Sequence, residues 1–239
     1  MRSKYQRVLL KLSGDHSPEP RAPQIDTERL GQYAEQIKEI ASSGVEVAIV
    51  IGGGNIFRGL SGATRGFDRV KGDQMGMLAT VINSLALSSA LESVGQLGAR
   101  ADGYQHVSDR GALQQMEGHR GSGSGGRGGH HSGRHPQSVL HHRYGQRLRG
   151  IEVEADVMLK GTRVDGVYTA DPEKDSTATK FSEISYDEVY NRGLKVMDLT
   201  ATALCKENGL PIVVFCMDTP GNLAKVIAKR ADRHAGVLI

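Results

Sequence analysis

The sequence predicts an α/β fold built on parallel strands, and three observations carry that prediction. The run Val45 to Ile51 is made of β-branched and small apolar residues, the pattern of a buried strand. A shorter apolar run, Arg7 to Leu12, lies upstream. Between the two, Leu30, Tyr33, Ile37 and Ile40 recur at helical spacing. Strand, helix and strand with a short connection form a βαβ unit, whose two strands run parallel. Each strand ends in glycine, at Gly14 and at Gly52-Gly53-Gly54. Both glycine-bearing ends therefore fall on one edge, where open α/β sheets bind ligands.

In chain order, the first strand closes on Lys11-Leu12-Ser13-Gly14. A lysine there is a point charge and Gly14 opens the backbone, which suits a nucleotide phosphate. A surface lysine at a strand terminus accounts for that text equally well. Asp15 to Gln24 contains Pro18, Pro20 and Pro23 and reads as a loop. A helix follows, with Asp26 or Thr27 as its N-cap and Ser43-Gly44 as its stop. After the second strand, Gly52-Gly53-Gly54 lets the backbone approach a ligand and turn its N–H groups toward an anion. Arg58 adds a fork of donors for a phosphate oxygen. A plain strand-to-loop turn is the alternative.

Gly72-Asp73 opens a further helix that is apolar on most faces through Leu91 and is expected to be well buried. Asp73 is either its cap or a partner for a hydroxyl-bearing ligand such as a ribose. Val153 to Lys160 reads as a strand. The loop after it, Gly161 to Pro172, carries Thr162, Tyr168 and Asp171. An aromatic with a carboxylate suits a purine and its ribose, and a turn-rich surface loop is the competing reading. Ile184 to Arg192 is helical. Leu194 to Asp198 leads into a helix through Asn208, stopped by Gly209 and Pro211. Ile212 to Phe215 is a strand, Asn222 to Lys229 a helix, and Gly236 to Ile239 a last short strand.

Composition narrows the function. The net charge of +3 over 239 residues is mild and does not call for nucleic acid. The two cysteines, Cys205 and Cys216, have no metal-ligand spacing and read as reduced thiols of a cytoplasmic protein. The N-terminus has no apolar signal core, and no apolar run is expected to span a bilayer.

Taken together, these motifs resemble the amino-acid-kinase superfamily and, within it, the bacterial UMP kinases. The text that carries the resemblance is Leu9 to Gly14, Ile51 to Gly59, and Gly72-Asp73 with Met75 to Thr80. It continues with Ile151 to Val157, Val164 to Tyr168 with Asp171-Pro172, Leu194 to Leu199, Leu210 to Ile212 and Pro220-Gly221. The resemblance covers the chain from about Tyr5 to Leu91 and from Leu148 onward. It implies one domain over residues 1–239, a three-layer sandwich with a largely parallel central sheet, assembled as a homohexamer. It also implies transfer of the γ-phosphoryl group of ATP, with Mg2+, to UMP in pyrimidine biosynthesis. By the same resemblance Lys11, Leu12, Ser13, Gly14, Gly54, Arg58, Thr162, Tyr168 and Asp171 bind ATP, and Gly53 and Asp73 bind UMP. Lys11 and Arg58 would stabilise charge on the moving phosphoryl group, and Asp198 would orient a lysine or a metal-bound water.

From about Ala99 to Arg147 the family pattern vanishes. The text turns to Gly, His, Arg, Ser and Gln with almost no apolar periodicity, and is expected to be disordered. A codon exercise accounts for it. Val139 to Tyr144, shifted by one base, reads Phe-Phe-Thr-Thr-Asp-Thr, the family's acceptor loop. Ala101 to Gln105 likewise reads Leu-Met-Ala-Ile-Ser, the family's strand at that point. The block thus looks like a pair of compensating frame changes. The histidines His119, His130, His131, His135, His141 and His142 match no known metal spacing, and the shifted frame explains them. The acceptor loop is lost from the literal chain, so little UMP phosphorylation is expected of it. Asp15 to Gln24 departs from the family's glycine-rich segment, so GTP activation is not carried over. Two rival readings stay open: a superfamily phosphotransferase with another acceptor, and a degenerate, non-catalytic homologue that binds nucleic acid through the basic block.

Overall fold

A computed structural model describes residues 3–13, 25–57, 68–96, 100–102, 137–140, 153–194, 196–197, 199–228 and 236–239. Strands β1 (Arg7–Leu12), β2 (Glu46–Ile51), β3 (Arg100–Asp102), β4 (Gln137–Leu140), β5 (Val157–Thr162), β6 (Ile212–Cys216) and β7 (Gly236–Leu238) form one sheet in the order β3-β4-β2-β1-β5-β6-β7. Every pairing is parallel except β6 with β7. The βαβ unit is present as expected, with α1 (Thr27–Ser42) between β1 and β2. Asp26 is the cap, accepting a hydrogen bond from the Arg29 N–H. Gly44, at a φ of +90°, turns the chain out of the helix into β2.

The strands are apolar on both faces because helices cover both. On one face Val8, Leu10 and Leu12 of β1 join Ile49, Leu159 and Phe215, and pack against α1, α2 (Arg69–Ser93) and α5 (Asn222–Ile227). On the other, Leu9, Val50, Met158 and Val214 pack under the segment containing α3 (Tyr186–Asn191) and α4 (Leu199–Glu207). Each such fully buried aliphatic side chain contributes about 1.5–3 kcal/mol.

The amino ends of the three middle strands are tied together. The Arg7 guanidinium pairs with Glu46 at 2.5 Å and donates to the Val153 carbonyl at 2.6 Å. The Asp156 carboxylate accepts from the backbone N–H groups of Gln6 and Arg7 at 2.6 and 2.8 Å.

Five expectations are corrected. Helix α2 starts at Arg69, because Asp68 accepts from the Lys71 N–H and supplies the cap. Asp73 is therefore an exposed residue within the helix and does not cap it. Nor is α2 buried on most faces: Leu87 and Leu91 face the core, but Met75, Leu78, Ile82 and Leu85 form an exposed stripe, Leu78 being 57% accessible. Contrary to the expectation of no spanning run, Val70–Ser93 is long and apolar enough by length and composition to cross a membrane. Finally, the anomalous block contributes β3 and β4 to the sheet, β4 paired in register with β2 and β3 with β4. Strand β5 also runs four residues later than expected at its start, from Val157.

Candidate functional site

The carboxyl edge of the sheet gathers the residues that the sequence singled out on β1, β2 and β5. Lys11 is in register with Val50 of β2 on one side and with Lys160 of β5 on the other. Residues paired in this way on neighbouring parallel strands sit about 4.8 Å apart and point to the same face. Two lysines thus stand side by side at the edge. Lys160 is largely buried, and its ammonium donates to the Val196 carbonyl. Burial, with the Lys11 charge second, pushes its pKa down to about 8. Lys160 was not among the expected site residues. Its signal is the echo between Leu9-Leu10-Lys11 and Met158-Leu159-Lys160, two apolar runs ending in a cation.

The glycine loop leaves β2 beside these lysines. The Gly52 N–H donates to the Leu12 carbonyl at 3.1 Å, joining the loop to the end of β1. The Gly53 carbonyl accepts from the N–H groups of Ile56 and Phe57 at 3.1 and 3.0 Å, which closes a turn over Gly54 and Asn55. Gly53 is buried against α2. A Cβ on it would lie 2.7 Å from the Ala79 Cβ and 2.8 Å from the Thr80 nitrogen, so only glycine fits. Helix α2 also sends Asn83 into the loop, where it bonds Gly52 and Asn55. Sequence reading missed both asparagines; the available signal was a polar residue in the middle of an apolar helix.

The loop after β5 is held by its own bonds. The Thr162 hydroxyl donates to the Val164 carbonyl at 2.5 Å. The Tyr168 hydroxyl donates to Asp165 at 2.6 Å, and the Lys180 ammonium reaches the other Asp165 oxygen at 2.8 Å. The hydrogen bond to Asp165 pushes the Tyr168 phenol up to about 12. Burial raises Asp165, but hydrogen bonds from Lys180 and Tyr168 outweigh it and hold the carboxyl below its ordinary value. Asp171 is exposed and accepts from the Glu173 N–H at 3.1 Å, so its carboxylate is engaged in its own turn.

The edge therefore brings Lys11, Leu12, Ser13, Gly53, Gly54 and Thr162 together at the ends of adjacent strands. Asp73 lies on α2 six residues before Ala79, which contacts Gly53, about 9 Å along the helix axis. Gly14, Arg58 and Asp198 lie outside the described residues, as do the acceptor-loop text at 141–144 and all six histidines of the central block. Among the described residues, no group of three or more His, Cys, Asp or Glu side chains is arranged to hold a metal ion.

A lysine pair and a glycine turn on the carboxyl edge of a parallel sheet are features of several phosphate-binding folds, and comparison with known proteins decides between them. The model of the amino acid kinase family matches residues 6–120 and 146–216. The chain belongs to the amino acid kinase family. Among curated members, it is 61% identical over 234 residues to a uridylate kinase of Bacteroides thetaiotaomicron, covering 95% of each chain. It is 59% identical over 234 residues to a uridylate kinase of Parabacteroides distasonis, again over 95% of each chain. Among solved members, the UMP kinase from Bacillus anthracis superposes with a TM-score of 0.79 at 31% identity, covering 98% of this chain and 96% of that one. The aspartate kinase from Synechocystis shares the fold alone, with a TM-score of 0.63 at 17% identity over 98% of this chain and 39% of its own. The family match resumes at residue 146 after breaking at 120. The break falls inside the Gly/His/Arg-rich block, but residues 99–120, expected to depart from the family, lie within the matched part.

Proposed function

We propose that this chain is a UMP kinase, an ATP:UMP phosphotransferase that makes UDP and ADP. The observation that carries the reading is the carboxyl edge, where Lys11 and Lys160 flank each other beside a glycine turn seated on α2. The likeness to uridylate kinases across nearly the whole chain supports the choice of acceptor. Phosphoryl transfer needs charge neutralisation and in-line positioning rather than a strong base. In this reading Lys11 and Lys160 neutralise the ATP phosphates, with Ser13, Gly14, Gly54 and Arg58 completing the cradle. Gly53 and Asp73 serve UMP. Tyr168, fixed by Asp165, presents its ring to the adenine, and Thr162 and Asp171 line the same pocket. Asp198 is assigned an orienting role. Mg2+ enters as part of the Mg–ATP substrate, held chiefly by phosphate oxygens and water.

The protein is further proposed to act as a single domain in the cytoplasm, in pyrimidine nucleotide synthesis, as a homo-oligomer. The stripe Met75, Leu78, Ile82 and Leu85 supports self-association, since a contiguous exposed apolar face marks an interaction surface. The hexamer is the assembly expected by resemblance.

The altered acceptor-loop text divides the expectation in two. The literal chain should bind Mg–ATP while phosphorylating UMP poorly. A chain carrying the frame-shifted reading of the central block should phosphorylate UMP well. A coupled ADP-release assay on both chains, with UMP, aspartate, glutamate and carbamate as acceptors, tests this. Preference for any acceptor other than UMP in the restored chain overturns the reading. Salt-dependent RNA binding with no nucleotide turnover in either chain would favour the non-catalytic alternative.

A further inference from the structure

Asn83 sits in the middle of α2, is 3% exposed, and directs its amide bonds out of its own helix. Its side-chain nitrogen donates to the Gly52 carbonyl at 2.7 Å and to the Asn55 Oδ1 at 2.6 Å. Its oxygen accepts from the Asn55 nitrogen at 3.2 Å. Ser84, its buried neighbour, behaves in the opposite way and bonds back to the Thr80 carbonyl within the helix. Asparagine is a poor helix former and a buried amide needs partners, so an apolar residue would serve the helix better. The bonds Asn83 makes must therefore serve the loop.

The effect on the loop follows from peptide geometry. In a trans peptide the carbonyl and the next N–H point in opposite directions. Among the described residues every peptide bond is trans. Fixing the Gly52 carbonyl against α2 thus aims the Gly53 N–H away from that helix. Among the described residues, no backbone carbonyl accepts from this N–H. The Gly53 carbonyl is taken by Ile56 and Phe57, so the peptide on the other side of Gly53 is fixed as well.

We propose that Asn83 is a positioning residue: by clamping the Gly52 carbonyl and the Asn55 amide onto α2, it holds the Gly53 N–H in the orientation that donates to a phosphate oxygen of the bound nucleotide. The proposal rests on the phosphotransferase reading for its ligand and on the described geometry for its clamp.

The test compares the wild-type chain with Asn83→Leu, which keeps the volume, and Asn83→Asp. Three readouts are taken: hydrogen exchange across residues 52–57, UMP kinetics with each variant also placed in the chain carrying the frame-shifted reading of the central block, and the melting curve. In Asn83→Leu, exchange in that segment is expected to quicken at least tenfold, and kcat to fall more than tenfold with KM little changed. In Asn83→Asp, a protonated carboxyl can donate to the Gly52 carbonyl and an ionised one cannot. Its kcat relative to wild type is therefore expected to recover as pH falls from 8 to 5.5, while that of Asn83→Leu stays flat. Exchange at 52–57 unchanged in Asn83→Leu overturns the proposal, as does a pH-independent ratio for Asn83→Asp. If neither the literal chain nor the chain carrying the frame-shifted reading of the central block phosphorylates UMP, the phosphotransferase reading fails, and the exchange result alone decides whether the clamp exists.

Discussion

Replacing Gly53 with alanine tests the loop-on-helix contact directly. The added methyl carbon would start 2.7 Å from the Ala79 Cβ, 2.8 Å from the Thr80 nitrogen and 2.9 Å from the Ala79 carbonyl carbon. Ordinary carbon contacts fall at about 3.5–4.0 Å, so the loop and α2 must part by about 1 Å. Two of the three opposing atoms are helix backbone and cannot swing aside. Overpacking of this kind costs about 1–3 kcal/mol, and at this chain length each kcal/mol lowers Tm by about 2–4 °C. A displacement near 1 Å at a phosphate-binding loop also costs on the order of 100-fold in turnover. Thermal melts, and steady-state UMP kinetics in the chain carrying the frame-shifted reading of the central block, read the two effects separately. Gly76→Ala is the control: a Cβ there meets nothing within 4 Å, and alanine favours the helix by about 1 kcal/mol, so Tm should hold or rise. A Gly53→Ala chain that melts within 1 °C of wild type and turns over normally would refute the close approach.

Lys160→Met should leave stability unchanged or higher while weakening Mg–ATP binding about 10-fold or more, measured by calorimetry, because a buried cation is removed from beside Lys11. The native pKa of Lys160, about 8, lies below its ordinary 10.5. Below about pH 8 both folded and unfolded chains carry the proton, and the burial cost is present in full. Between about 8 and 10.5 only the unfolded chain keeps it, so stability should rise with pH there by up to about 3 kcal/mol, and Lys160→Met should abolish that rise. Mg–ATP affinity should fall through the same window as the ammonium is lost. Leu78→Glu with Ile82→Glu should reduce the sedimentation coefficient to that of a monomer at unchanged secondary structure; an unchanged coefficient would remove α2 as the association face. Asp156→Ala strips two backbone N–H groups of their acceptor and should cost about 1.5–3 kcal/mol in denaturant melts, with UMP kinetics at 25 °C unaltered.

The βαβ core was legible because its signals are local: apolar runs for β1 and β2, an Asp cap and a glycine stop for α1. The start of α2 was not, since Gly72-Asp73 and Asp68 offer equally good cap chemistry and only the fold selects Asp68. The apolar surface of α2 misled for a related reason, because a helix apolar on two faces reads as buried whether or not both are covered by the same chain. Strands β3 and β4 were illegible because their own text, Arg100-Ala101-Asp102 and Gln137 to Leu140, has little strand character; pairing of β4 onto β2 and of β3 onto β4 supplies what it lacks. At the site, Lys11 and the glycine turn were found from their place at strand ends. Lys160 and Asn83 were missed because their importance lies in neighbours distant in sequence, the Val196 carbonyl and the Gly52 carbonyl.

The Arg7–Glu46 and Asp156 ties make the middle of the sheet a fan pinned at its handle. The mutual alignment of β1, β2 and β5 is thus set at the end remote from the ligand edge, and Leu12, Ile51 and Thr162 inherit it through the strand register.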